Sequence, residues 1–136
     1  MSVLLDTSCL VSFFISDAHH EKAKLVRNRI FRREIQGFIS ALSQVELCGV
    51  IRRNKGEAEA RQVKNAMDDL AEKELLSIIP LRNSDASIAS DMAIKTGLKG
   101  ADAVIVNAAA QTKSELVTFD QEIKEKAKSV VEFYES

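Results

Sequence analysis

The stretch MSVLLDTSCLV, residues 1–11, decides how this chain is read. Ser2 to Leu5 are small or apolar without a break, as in a strand covered on both faces. Asp6 interrupts them, and an apolar stretch resumes at Cys9 with the look of a short helix through Ile15. An acid at that joint has two explanations. It caps the helix, or it is one leg of a metal site, and the rest of the sequence has to separate them.

Working outward, short β-like runs alternate with longer helical ones. Residues 20–33 have Ala23, Val26 and Ile30 at helical spacing, with Lys22, Lys24, Arg27 and Arg29 facing elsewhere. Gly37 to Ile39 is a second short strand. Ser40 or Ser43 is placed to cap a helix carrying Val45 to Arg53, and Asn54-Lys55-Gly56 breaks it. A long charged helix over 57–74 carries a stripe of Ala60, Val63, Met67 and Leu70, suited to a core or a partner. A strand over 75–81 precedes a helix capped by Ser84 and ended by Thr96-Gly97. A helix over 101–111, a strand over 116–119, a helix over 121–128 and a last strand over 130–134 complete the pattern. Strands separated by helices need crossover connections. The expected fold is therefore α/β, with a central, mainly parallel sheet of about five strands. At 136 residues and 15.0 kDa, the whole of residues 1–136 is expected to form a single domain.

In open α/β sheets the functional crevice lies at the carboxyl ends of the strands. Asp6 and Asp120 both follow strands there. Glu46 falls on a helical arc between Leu42 and Val50, where a carboxylate is costly without a partner. Asp102 opens the helix AVIVNAAA, apolar on nearly all sides and so expected to be buried. Each acid taken singly has an ordinary explanation, as cap, boundary residue or dipole partner. Taken together, four carboxylates converge on one sheet edge and repel unless protons or cations intervene. Oxygen-only ligands select Mg²⁺ or Mn²⁺ over zinc.

The formal charge of −1 speaks against nucleic acid in bulk. That objection weakens locally: 20 acidic residues less those four leave 16 against 19 basic, a balance of +3. Arg27, Arg29, Arg32, Arg33, Arg52, Arg53 and Lys55 are candidate phosphate contacts, each with a solvated helix face as the plainer explanation. Cys9 and Cys48 have no metal-binding spacing and read as small buried hydrophobes. His19 and His20 read as the start of a surface helix. Apolar runs are too short for a membrane span, and the N-terminus lacks the pattern of a signal peptide, so a cytoplasmic address is expected.

The order of VLLDTSCLV around Asp6, SALSQVELCGVIRR around Glu46, LKGADAVIVNAAA around Asp102 and ELVTFDQEI around Asp120 resembles the PIN-domain family, especially its VapC-like toxins. The resemblance spans essentially the whole chain. It implies a PIN-like three-layer α/β/α domain and a metal-dependent endoribonuclease that uses metal-activated water and leaves a 5′-phosphate and a 3′-hydroxyl. It makes Asp6, Glu46 and Asp102 the core ligands of Mg²⁺ or Mn²⁺, with Asp120 the fourth acid and Ser8 and Thr118 in support. It further implies an RNA substrate, a cognate antitoxin protein and a homodimer.

Rival readings are weaker. A haloacid-dehalogenase-type hydrolase wants a second Asp at the position of Ser8. A receiver domain wants a lysine where Glu132-Phe133-Tyr134 stand. A dinucleotide binder wants glycines after the first strand. The strongest alternative is a catalytically inactive PIN-like module that binds RNA or protein, although a degenerate site usually lacks one of its acids.

Overall fold

The computed structural model describes residues 1–135. Four parallel strands form one sheet in the order β3-β2-β1-β4: β1 (Ser2–Leu5), β2 (Gln36–Ser40), β3 (Leu76–Ile79) and β4 (Glu115–Val117). Seven helices connect and cover them: α1 (Thr7–Phe14), α2 (His20–Phe31), α3 (Ala41–Lys55), α4 (Glu57–Glu72), α5 (Asn83–Thr96), α6 (Gly100–Thr112) and α7 (Gln121–Lys126).

β1 is central. Val3 pairs with Gly37 on one side and with Glu115 on the other. Because strand side chains alternate between faces, Val3, Leu4 and Leu5 of β1 reach into two cores. Val3 and Leu5 join a cluster with Leu10, Val26, Leu47 and Met67, contributed by α1 to α4. Leu4 joins the opposite cluster with Leu98, Ile105, Val106 and Ile123. Val3, Leu4 and Leu5 are fully buried, which is why their run is apolar without alternation. Helix, sheet and helix thus form the three expected layers. The stripe on α4 packs against the first core, with Met67 buried. Among the described residues, no helix is long and apolar enough to cross a membrane.

The structure departs from the sequence-based expectation at two places. The fifth strand shrinks to one parallel bridge, Leu116 with Phe133. The N–H groups of Val130 and Val131 are drawn to the Ala127 carbonyl at the end of α7, so the chain extends only at 132–134. Ser84 does not cap α5. Arg82 holds that position, and the Asp85 carboxylate reaches back to its N–H at 2.9 Å. Asp85 also accepts from Gln111 at 2.8 Å, tying α5 to the buried α6.

β2 runs close beneath α2 and beside β3 because Gly37 has no side chain. A Cβ there would meet Leu76 Cδ2 at 2.7 Å and Ile30 Cδ1 at 3.0 Å. Gly37→Ala is therefore expected to lower stability by about 1–3 kcal/mol through overpacking. Urea unfolding checks this, and an unchanged midpoint would contradict it.

Candidate functional site

Asp6 is the first residue beyond β1. Its N–H continues the ladder to Val117 O at 3.0 Å, which fixes its backbone at the carboxyl edge of the sheet. Its side chain performs both roles the sequence left open. Oδ1 accepts the Thr7 N–H at 2.7 Å as the N-cap of α1. Oδ2 accepts the Thr118 hydroxyl at 2.7 Å and the Ser8 hydroxyl at 3.3 Å. Asp6 is buried. Burial pushes its carboxyl above the usual range and the Asp120 charge adds to this, while the donors from Thr118, Thr7 and Ser8 pull the other way.

Thr118 is a relay. Its hydroxyl donates to Asp6 and accepts the Asp120 N–H at 3.1 Å, so the two strand-end acids are held through one side chain. Asp120 is exposed and caps α7, with Oδ1 accepting from Glu122 N at 2.8 Å and Ile123 N at 3.2 Å.

Glu46 comes from α3, whose start is set by Ser40 at the end of β2, the Ser40 hydroxyl accepting the Leu42 N–H. Its surroundings differ from the apolar arc expected of it. Val45 is 71% exposed, and Glu46 is half-buried at the boundary. The required partner exists all the same: the Thr7 hydroxyl donates to Glu46 Oε1 at 2.7 Å and lies 2.8 Å from the Ser43 hydroxyl. Asp102 stands in the first turn of α6, half-buried. Burial raises its pKa, the charges of Asp6 and Asp120 raise it further, and Lys99 acts in the opposite direction.

All four expected acids line one cleft of about 390 Å³, with Ser8 among them and Val11, Val50 and Ile105 as apolar wall. Thr118 stands behind Asp6 and does not line the cleft. Two further residues line it that the sequence did not single out. Thr7 offered no signal beyond its place next to Asp6. Asp17 comes from the connection between α1 and α2, where it accepts both the Ser12 hydroxyl, at 2.8 and 2.9 Å, and the His19 N–H at 3.0 Å.

No cation among the described residues pairs with these acids. Nor do three His, Cys, Asp or Glu side chains among the described residues already stand close enough to hold one metal ion. Like charges without a counter-ion keep apart. The donor set is nonetheless all oxygen and mutually repelling, which suits a hard divalent cation.

The arginines of α2 and the turn after it bond to other groups of the chain, Arg32 and Arg33 at the surface. Arg27 donates to Phe13 O, Arg29 to Tyr134 Oη, Arg32 to Glu34 and Arg33 to Lys73 O. None lines the cleft. The histidines and cysteines also stay out of it. His20 meets Ser12 O, His19 stacks on Phe119, and burial pushes the Cys9 thiol up to about 12.

The family model described as "PIN domain" matches residues 3–129. No curated protein matches the chain. Several solved structures share its fold. The sarcin–ricin-loop-cleaving toxin VapC20 of Mycobacterium tuberculosis superposes with a TM-score of 0.75 at 16% identity, covering 98% of this chain and 99% of that one. A toxin–antitoxin complex from Klebsiella pneumoniae gives 0.69 at 22%, covering 98% and 99%. VapBC2 of Rickettsia felis, bound to a DNA fragment from its promoter, gives 0.69 at 18%, covering 99% and 100%.

The electrostatics of Asp102 generate a prediction. A carboxyl whose pKa is raised in the folded chain binds its proton more tightly there than when unfolded. Its ionisation therefore costs stability above the raised value, and the cost disappears below the ordinary 3.8. The α6 N-terminus favours the charge, but the upward shift means that burial and repulsion win. Asp102→Asn should raise the melting temperature at pH 7 in chelator, with the gain shrinking as the pH falls through the carboxylate range. An equal or lower melting temperature at pH 7 would contradict the repulsion.

Proposed function

The chain belongs to the PIN domain family, and from that premise and its acidic cleft we propose that it is a metal-dependent endoribonuclease, the toxin of a VapBC-type toxin–antitoxin pair. One observation carries the proposal. Asp6, Glu46, Asp102 and Asp120, drawn from β1, α3, α6 and the β4–α7 connection, line a single cleft with no basic side chain paired to them among the described residues.

In this reading Asp6, Glu46 and Asp102 hold Mg²⁺ or Mn²⁺, with Asp120 as the fourth acid. Such an ion, when bound, neutralises charge on a phosphodiester and makes a water acidic enough to attack it at neutral pH. The protein's part is positional. Thr118 and Ser8 orient Asp6, and Thr7 orients Glu46, as hydroxyls behind metal-holding carboxylates do. Val11, Val50 and Ile105 give the cleft an apolar wall, which strengthens the electrostatic interactions inside it. Hydrolysis would leave a 5′-phosphate and a 3′-hydroxyl on the RNA.

The solved relatives support the biological setting. One is described as a sarcin–ricin-loop-cleaving toxin, another as a toxin–antitoxin complex and a third as VapBC2. We extend to this chain an antitoxin partner, a homodimer, a cytoplasmic address and a single nuclease domain over residues 1–136.

The test is cleavage of a mixed structured RNA with Mg²⁺, with Mn²⁺ and with chelator, by wild type and by Asp6→Asn. Cleavage is expected to need the metal and to vanish in the folded variant. If folded wild-type protein cleaves nothing and gains no thermal stability from either metal, the proposal fails in favour of an inactive binding module. Thr7→Val, which removes the hydroxyl that donates to Glu46 and meets Ser43, should lower kcat/KM by about 10- to 100-fold. Activity equal to wild type would deny Thr7 that positioning role.

A further inference from the structure

Beside the acidic cleft, across the β4–α7 connection, lies a second hollow of about 90 Å³. Lys22 from the first turn of α2 and Lys124 from α7 line it together with Thr118, Phe119 and Tyr134, and Glu135 is the acid among its lining residues. Neither lysine pairs with a carboxylate among the described residues. Two ammonium groups brought from separate helices to one hollow repel each other unless an anion lies between them. The aromatic wall is fixed: the Phe119 ring stacks on His19 with centroids 4.4 Å apart and planes 8° from parallel.

The hollow and the cleft have no lining residue in common but meet along three consecutive residues. Thr118 lines the hollow while its hydroxyl grips Asp6, Phe119 lines the hollow, and Asp120 lines the cleft. Thr118 and Asp120 are two residues apart, at most about 7 Å along the backbone. The hollow therefore adjoins the cleft, so that one strand can pass from one to the other. Ammonium groups that follow the backbone, next to an aromatic face, are the usual equipment for single-stranded nucleic acid.

We propose that this hollow is a phosphate subsite, in which Lys22 and Lys124 hold the RNA backbone as the strand leaves the acidic cleft over Phe119. The inference rests on the nuclease reading of that cleft. An acidic peptide from a protein partner would satisfy the lysines, but it would not use the aromatic wall or the continuity with the cleft.

The test compares Lys22→Ala/Lys124→Ala with Lys64→Ala/Lys73→Ala, a control of equal charge change on α4 and at its C-cap, where both lysines pair with aspartates. Binding of a short, labelled, single-stranded RNA of mixed sequence is titrated with Mg²⁺ in an Asp102→Asn background, which spares the RNA. The first variant should bind about tenfold more weakly, and its slope of log Kd against log salt should fall by about 0.7–1.4, one or two phosphate contacts. The control should keep both. In the cleavage-competent protein, KM should rise with kcat nearly unchanged, the mark of lost uniform binding. Equal affinity and slope in the two variants would overturn the subsite even if both cleave RNA, leaving the nuclease reading intact. Lysine-dependent binding by a wild type that cleaves nothing would uphold the subsite and sink the nuclease reading. Lysine-dependent binding of poly-glutamate without binding of RNA would overturn the proposal in favour of an acidic protein partner.

Discussion

The 2.7 Å hydrogen bond from the Thr118 hydroxyl to Asp6 is where the fold and the cleft meet. It joins the ends of the two neighbouring strands β1 and β4, and the same hydroxyl takes the backbone N–H of Asp120. Without it, a buried carboxylate would rest on Thr7 N–H and a long contact to Ser8. A buried charge needs several such donors. The parallel sheet supplies the frame: Val3, Leu4 and Leu5 of β1 are fully buried, so its end cannot wander, and the residue that follows Leu5 stands at the crevice.

The cleft is an electrostatic problem left open. Asp6 and Asp102 are both held above the ordinary carboxylate range, first by burial and then by neighbouring acids. The ion pairs along α4, Arg61–Glu57 and Lys64–Asp68, are local and exposed and contribute little. The cleft gathers Asp6, Glu46, Asp102 and Asp120 with no cation paired to them among the described residues, and Lys22 and Lys124 beside it likewise pair with no carboxylate there. A divalent ion in the cleft and a phosphate in the hollow would each relieve a repulsion that the protein alone leaves standing.

Most of the frame was legible in the sequence because it is written in local terms. The run Val3–Leu5, the helical spacing of Ala23, Val26 and Ile30, and the apolar helix behind Asp102 all signal burial without any knowledge of partners. Asp6 and Asp120 were legible through the rule that places function at strand ends, Asp102 through the apolar helix it opens, and Glu46 through its place on a helical arc expected to be apolar. What escaped depends on contacts between distant residues. Thr7 meets Glu46 across 39 positions, and Thr118 meets Asp6 across 112. Asp17 is an ordinary turn acid until the α1–α2 connection folds it against the cleft. The α2 arginines looked like phosphate contacts because a helix face does not reveal which carbonyl, such as Phe13 O, will take the guanidinium. The last strand failed for a local reason that competes with pairing, the capture of Val130 and Val131 by the end of α7.

The measurement that bears most directly on this account is anomalous diffraction from crystals of the protein soaked in Mn²⁺. The account predicts a manganese peak in the cleft, about 2.0–2.2 Å from carboxylate oxygens of Asp6, Glu46 and Asp102, a distance range typical of small hard divalent ions. A well-ordered cleft with no peak, or a peak only elsewhere on the molecule, would contradict the claim that these carboxylates are gathered to hold a metal.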